Sequence, residues 1–102
     1  MIGASALEMF KDGAQFINAA RGPCVNYNDL ADALRAGRIS GATVDCHNPE
    51  PPPEDYPMFG LENVTLTPHT AARVPQAVEN MCDVVFDIIA VLQGHPPQYP
   101  AK

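Results

Sequence analysis

Three side chains that could take part in chemistry are widely spaced along the 102-residue sequence: Arg21, Glu50 and His69. The guanidinium of Arg21 can bind a carboxylate through two parallel hydrogen bonds, which favours an organic acid as its ligand. His69 directly follows a proline, and imidazole exchanges a proton near neutral pH, so His69 is a candidate proton donor. A carboxylate such as Glu50 beside it would hold one tautomer and favour the charged ring.

Each of these residues alone also has a simpler interpretation. Arg21 could be a surface arginine that bonds its own loop, His69 a structural histidine, and Glu50 a solvent-exposed loop residue. Their use in a common site depends on the elements that carry them.

Hydrophobic patterning predicts strands that alternate with helices along the chain. Three compact apolar runs read as strands: AQFIN at 14–18, GATVD at 41–45 and NVTLT at 63–67. A short helix is expected over residues 4–10. A second helix is capped by Asn26 and ended by Gly37. Apolar residues at steps of three and four predict a long amphipathic helix over 74–92, with Pro75 in its first turn.

This alternation predicts an α/β fold with a largely parallel sheet. In such sheets the ligand lies beyond the carboxyl ends of the strands. Arg21, the segment 45–50 and His69 all follow a predicted strand, so we expect them at the same edge of the sheet.

Composition excludes several classes of function. The net charge of −6 argues against a nucleic-acid surface, because nothing would neutralise a run of phosphates. No apolar run reaches the length of a membrane span, and the first residues lack the pattern of a signal peptide. The three cysteines are an odd number at wide spacing, which argues against a disulfide framework and favours a reducing, cytoplasmic setting.

A metal site built from Cys46, His47 and His69 is the main chemical alternative. Their spacing matches no standard zinc pattern, and the other two cysteines are distant in sequence. We therefore predict no metal, and expect the cysteines to be small packing residues.

The ordered series of motifs resembles the D-isomer-specific 2-hydroxyacid dehydrogenases. The resemblance runs over nearly the whole chain, from about residue 2 to 95. The motifs that carry it are FINAARG at 16–22, DLADAL at 29–34, GRISGA at 37–42, Asp45, PEP at 49–51 and NVTLTPH at 63–69. The fold that it implies is the second half of a doubly wound, Rossmann-like nucleotide-binding domain, with a partial parallel sheet and a long C-terminal helix.

The resemblance also implies a role for individual residues. Arg21 matches the arginine that binds the substrate carboxylate and carbonyl oxygen, His69 the general acid/base, and Glu50 the carboxylate paired with it. Asp45 matches an aspartate that contacts the nicotinamide carboxamide. The implied cofactor is NAD, with NADP not excluded, and the implied cofactor-lining residues are Ala19, Ala20, Arg21, Asp45, His69 and Ala71.

The chain departs from the family pattern at several positions. His47 stands where the family usually has phenylalanine, and Asn48 where a glutamate is common. After His69, Ala71-Ala72 replaces a segment that often contains glycine. Val74 occupies the place of a capping serine or threonine, so Pro75 has to begin the last helix without a side-chain cap.

The glycine-rich fingerprint G-x-G-x-x-G, which holds the cofactor pyrophosphate, occurs nowhere in the 102 residues. We therefore expect residues 1–95 to be the C-terminal part of the domain and 96–102 a proline-rich tail leading toward a substrate domain that the chain lacks. The chain alone is expected to bind NAD(H) weakly and to have little turnover.

Two expectations concern partners. The small-molecule partner is a 2-keto or 2-hydroxy acid, and the macromolecular partner is a second copy of the chain or the missing half of the fold. A non-enzymatic NAD(H)-sensing module of the corepressor kind, or a truncated scaffold, stays open as an alternative function.

Overall fold

The computed structural model describes residues 1–70 and 72–100. It divides into two compact units, Met1–Thr70 and Ala71–Lys102. The first unit contains helices α1 (Ala4–Glu8) and α2 (Tyr27–Arg35), strands β1 (Ala14–Asn18), β2 (Ile39–Val44) and β3 (Val64–Leu66), and a short 3-10 turn, Gly22–Cys24. The second contains α3 (Pro75–Cys82) and α4 (Val84–Leu92).

The three strands form one parallel sheet in the order β1-β2-β3. Asn18 pairs with Val44, and Val44 pairs with Leu66, so all three strands end in one row. The predicted parallel α/β arrangement is confirmed. β2 begins and ends earlier than the predicted 41–45, and β3 is shorter than 63–67. Asp45 is therefore the first residue beyond its strand rather than the last residue within it.

Helix α2 begins after Asn26 and ends before Gly37, as the sequence predicts. The side chain of Asn26 accepts hydrogen bonds from the backbone amides of Asn28 and Asp29, at 3.1 and 3.4 Å. Beyond the other end, Gly37 has φ of 72°, a conformation that suits glycine. Leu30 and Leu34 are buried as predicted.

The core of the first unit lies on one face of the sheet, between the strands and the two helices. Alternate strand residues, including Phe16 and Val44, belong to this core. The opposite face is open, since Ile17 is 70% exposed and Thr43 and Thr65 are exposed as well. One side of the sheet is therefore without a cover among the described residues of this unit.

In the second unit, the expected helix over 74–92 forms as two segments divided at Asp83. Pro75 opens α3, and Val74 supplies no side-chain cap, as predicted. Gly94 ends α4 with φ of 81°, and the amide of His95 donates to the carbonyl of Ala90 at 2.8 Å. Neither helix has a buried residue, although eight of the nine residues of α4 are apolar.

The proline-rich tail folds back on α4 within the same unit. The carboxylate of Asp87 accepts hydrogen bonds from the amides of Gln98 and Tyr99, at 2.7 and 3.1 Å. Among residues 1–70 and 72–100, no helix is long and apolar enough to cross a membrane.

Gly22 marks the closest approach between the loops that follow β1 and β2. A Cβ atom built on Gly22 would lie 1.8 Å from the backbone oxygen of His47. This oxygen belongs to the backbone, which cannot move away as the end of a flexible side chain could. Only glycine therefore lets the two loops pack as they do.

We predict that Gly22→Ala destabilises the chain by more than about 2 kcal/mol, because the two loop backbones must separate. Gly37→Ala is the matched control, since nothing lies within 4 Å of its added Cβ and only the positive φ opposes it. That control is expected to cost about 1 kcal/mol. Urea denaturation followed by circular dichroism measures both values. Equal losses in the two variants would show that the close approach is not required.

The hydroxyl groups of Tyr27 and Tyr56 lie inside the first unit, where burial raises the pKa of both. The two side chains are 5% and 3% exposed, and their ring centroids are 5.5 Å apart. An acid whose pKa is raised on folding stabilises the fold fully below its unfolded pKa, here about 10, and loses that contribution as the pH rises further.

We therefore predict that the first unit unfolds as these phenols ionise, above about pH 10. A Tyr99→Phe background leaves only Tyr27 and Tyr56 to report, since the chain has three tyrosines. Phenolate absorbance and circular dichroism should then change at the same pH. Complete ionisation with a native dichroism spectrum would contradict the prediction.

Candidate active site

Glu50 and His69 form a hydrogen-bonded pair beyond the carboxyl ends of the strands. His69 Nδ1 lies 3.1 and 3.0 Å from the two carboxylate oxygens of Glu50. The side chains are 35% and 40% exposed, so the pair is open to solvent. Among the described residues, His69 Nε2 has no hydrogen-bond partner. One ring nitrogen is thus held by Glu50, and the other is left without a partner in the described part of the chain.

The backbone of His69 is in the left-handed region, with φ of 53°. Such a conformation is uncommon for any residue except glycine and has to be held by its neighbours. The amide of His69 donates to the carbonyl of Thr67 at 3.1 Å. On the other side, the amide of Thr70 donates to Asp45 Oδ1 at 2.8 Å. The catalytic candidate is therefore fixed from both sides along the chain.

Asp45 connects the ends of β2 and β3. Its Oδ1 also accepts hydrogen bonds from the hydroxyls of Thr67, at 2.5 Å, and Thr70, at 3.2 Å. Its own amide donates to the carbonyl of Asn18 at 2.9 Å, and the residue is 7% exposed. Sequence reasoning did not single out Thr67 or Thr70. Their position on either side of Pro68-His69 was the available signal. The expected contact of Asp45 with a nicotinamide carboxamide stays a prediction.

The loop that bears Arg21 is built on the buried amide of Asn18. Asn18 Oδ1 accepts from the amide of Ala20 at 3.1 Å, and Asn18 Nδ2 donates to the carbonyl of Arg21 at 3.1 Å. Nδ2 also donates to the hydroxyl of Tyr27 at 2.7 Å, which in turn donates to the carbonyl of Cys46. The hydrogen bonds of one amide thus set the backbone of the arginine loop against α2 and the loop after β2.

The guanidinium of Arg21 is exposed, and its Nη1 donates to the carbonyl of Ala20 at 2.7 Å. Within the described part of the chain it forms no ion pair, and it contacts neither Glu50 nor His69. The small side chains of Ala19 and Ala20 are also exposed. The structure therefore brings Glu50 and His69 together and leaves Arg21 as a separate cation on the loop after β1. Ala71 lies outside the described residues.

Cys46 is a buried packing residue beside this loop. Its thiol donates to the carbonyl of Ala20 at 3.3 Å. Burial raises the pKa of the thiol, the charges of Asp45 and Glu50 raise it further, and Arg21 opposes them. The thiol is thus held protonated in a position where the charges of Asp45, Glu50 and Arg21 act on it.

The histidine beside Cys46 is also committed to the protein interior. His47 Nε2 lies 2.9 Å from the carbonyl oxygen of Thr67, and its Nδ1 lies 3.3 Å from the hydroxyl of Tyr56. Cys46, His47 and His69 therefore have three different sets of partners. No group of three or more metal-binding side chains occurs among residues 1–70 and 72–100.

Residues 1–71 match the family model described as "D-isomer specific 2-hydroxyacid dehydrogenase, NAD binding domain". The chain is 38% identical over 97 residues to D-3-phosphoglycerate dehydrogenase from Archaeoglobus fulgidus, covering 94% of this chain and 18% of that protein. It is also 38% identical over 98 residues to glyoxylate reductase from Thermofilum pendens, covering 95% and 29%. The chain thus spans less than a third of the length of these relatives.

Solved structures give the same result. A D-isomer specific 2-hydroxyacid dehydrogenase from Xanthobacter autotrophicus, in complex with NADPH and MES, superposes with a TM-score of 0.81 at 36% identity, over 97% of this chain and 40% of that one. The NAD-complexed enzyme from Lactobacillus delbrueckii gives 0.77 at 32%, over 95% and 34%. Because the family model matches residues 1–71, most of the chain, the chain belongs to the D-isomer specific 2-hydroxyacid dehydrogenase family, in its NAD-binding domain.

Proposed function

We propose that these residues serve the NAD(P)-dependent, reversible reduction of a 2-keto acid to a D-2-hydroxy acid. The observation that carries the proposal is the pairing of His69 Nδ1 with Glu50, at 3.0 and 3.1 Å, while Nε2 stays open. A carboxylate acceptor at Nδ1 favours a proton on that nitrogen and supports a positive charge on the ring. The proton available for transfer is therefore the one on Nε2.

His69 acts as the general acid in reduction and as the general base in oxidation. In reduction, Nε2 gives its proton to the keto oxygen as the carbonyl carbon accepts a hydride. In oxidation, Nε2 takes the hydroxyl proton back. The nicotinamide of a bound NAD(P) supplies or accepts that hydride. Throughout, Glu50 keeps the ring oriented through its hydrogen bonds with Nδ1.

Arg21 binds the substrate carboxylate. Its guanidinium is exposed and is not neutralised by an acidic side chain among the described residues, so its charge is available to an anion. A planar guanidinium matches a carboxylate bidentately, which fixes the direction in which the adjoining keto group points. The substrate class is therefore a small acid with its carbonyl next to the carboxylate. Glyoxylate is the first candidate to test, because one relative is a glyoxylate reductase.

The residues at the strand ends fit a nicotinamide. Ala19 and Ala20 are exposed and small, so a flat ring can approach the backbone there. Asp45 lies between this loop and His69, as expected for a group that meets the carboxamide. NAD is the proposed cofactor, and NADP is its alternative.

Association with more protein is part of the proposal. The open face of the sheet and the apolar residues of α4 are surfaces that a complete domain or a second copy would cover. A homodimer is the expected assembly. The reducing cytoplasm is the expected setting, since all three cysteines are free thiols.

We predict that the 102-residue chain alone binds NADH more weakly than micromolar. Its seven glycines form no pyrophosphate-binding fingerprint, so the strongest cofactor contacts of such folds are not encoded in it. Fluorescence titration with NADH measures the affinity, and sedimentation run alongside gives the oligomeric state. A monomer that binds NADH with micromolar affinity would refute this prediction.

The catalytic roles can be tested in a chimera in which this chain replaces the matching 98 residues of the Thermofilum pendens glyoxylate reductase. We predict glyoxylate-dependent oxidation of NADH or NADPH. His69→Gln should lower kcat/KM by roughly 100- to 10,000-fold, the usual contribution of a general acid. His95→Gln is the matched control, because it changes a histidine of the second unit.

Two further variants separate the roles. Arg21→Lys keeps the charge but loses bidentate geometry, so it should chiefly raise KM for the acid. Glu50→Gln should lower kcat with less effect on KM. If His69→Gln and His95→Gln retain equal turnover, His69 is not the proton donor. A chimera that folds and binds NADH but never turns over would favour the sensing alternative instead.

A further inference from the structure

The ring of His47 is buried, and both of its nitrogens have partners in the protein. The residue is 7% exposed. Nε2 lies 2.9 Å from the carbonyl oxygen of Thr67, and Nδ1 lies 3.3 Å from the hydroxyl of Tyr56. The ring also meets Tyr56 edge-on, with centroids 5.5 Å apart and planes at 83°. Three contacts thus fix both its position and its orientation.

The chemistry of the acceptors determines the tautomer. A carbonyl oxygen only accepts, so His47 Nε2 carries the proton and donates to Thr67. In the neutral ring Nδ1 is then an acceptor, and the hydroxyl of Tyr56 donates to it. Burial makes both bonds costly to leave unformed.

The two partners belong to the two segments that carry the catalytic pair. Tyr56 lies in the loop after β2, which contains Glu50. Thr67 lies at the end of β3, two residues before His69, and its carbonyl also accepts from the His69 amide at 3.1 Å. His47 itself lies in the Glu50 loop, and its ring therefore connects that loop with the His69 segment.

A second tie to the His69 segment comes from Asp45, the first residue of the loop after β2. Asp45 accepts from Thr67 and Thr70, which lie on either side of His69. His47 adds a contact within the Glu50 loop, at Tyr56. His47 is the buried side chain that contacts both segments directly.

We propose that His47 is a positioning residue that sets the spacing between Glu50 and His69, and so directs His69 Nδ1 toward the carboxylate. The proposal rests on the proposed role of His69 in proton transfer. His47 itself touches neither substrate nor reacting atoms, because its two nitrogens are turned into the protein. Its effect is expressed in which nitrogen of His69 holds the proton.

The test uses the intact 102-residue chain labelled with 15N-histidine, which has only three histidines to resolve. Long-range proton–nitrogen correlation reports which ring nitrogen is protonated. In the unaltered chain, neutral His69 is expected to be protonated mainly at Nδ1. In His47→Phe, which keeps an aromatic ring but bonds neither partner, the ratio of Nδ1- to Nε2-protonated forms should fall about fivefold, the factor equivalent to one net hydrogen bond.

His47→Gln is the rescue variant, because its amide can place an N–H near the position of Nε2 and donate to Thr67. It should restore most of the ratio, whereas His95→Gln should leave it unchanged. If His47→Phe folds and the ratio of Nδ1- to Nε2-protonated His69 is unchanged, the proposal is overturned. If His47→Phe does not fold, Tyr56→Phe takes its place, because it removes the hydroxyl at His47 Nδ1 and should also lower the ratio; an unchanged ratio in that variant overturns the proposal.

This readout needs no cofactor and no substrate. A failure of His47 to control the His69 ring is therefore seen directly, while a failure of His69 as proton donor is seen in the turnover of the chimera. The two proposals can fail separately.

Discussion

The hydroxyl of Tyr27 holds together the strand ends on which the site is built. It accepts a hydrogen bond from the side chain of Asn18, at the end of β1, and donates to the carbonyl of Cys46, beyond the end of β2. Parallel strands bring their carboxyl ends to one edge, but they do not fix the loops that follow. A buried hydroxyl that uses both its donor and its acceptor capacity does so, and it comes from the first residue of α2.

The buried polar groups and the exposed charged groups of the site have different tasks. Asn18, Asp45 and His47 are each 7% exposed or less, and their side chains form hydrogen bonds with backbone groups and hydroxyls of the neighbouring loops. Glu50 and His69 are more than a third exposed. A charged group that binds a ligand has to stay accessible to it. The hydrogen bonds that orient such a group are stronger when they are buried, where the dielectric constant is low. The site follows this division.

The sequence predicted the class of fold and the pairing of Glu50 with His69 correctly. The strand pattern was sufficient for the first, and the Glu-Pro and Pro-His motifs, through their family resemblance, for the second. The ends of the strands were predicted less well. The limits of β2 and β3 depend on how many residues of the neighbouring strand are available for backbone pairing. The single helix expected over 74–92 is interrupted at Asp83, which side-chain periodicity alone does not reveal.

The contacts of His47 and Gly22 were beyond sequence reasoning for a different reason. His47 was recognised as a departure from the family pattern, yet its partners, Tyr56 and Thr67, are 9 and 20 residues away. Gly22 has an ordinary place in the FINAARG motif, and only the tertiary structure shows the His47 carbonyl against it. Both sets of contacts involve His47, one through its backbone carbonyl and the other through its ring, so the arginine loop, the Glu50 loop and the His69 segment converge on this residue. A shift of the whole residue would therefore be transmitted to the segments that carry all three proposed catalytic residues.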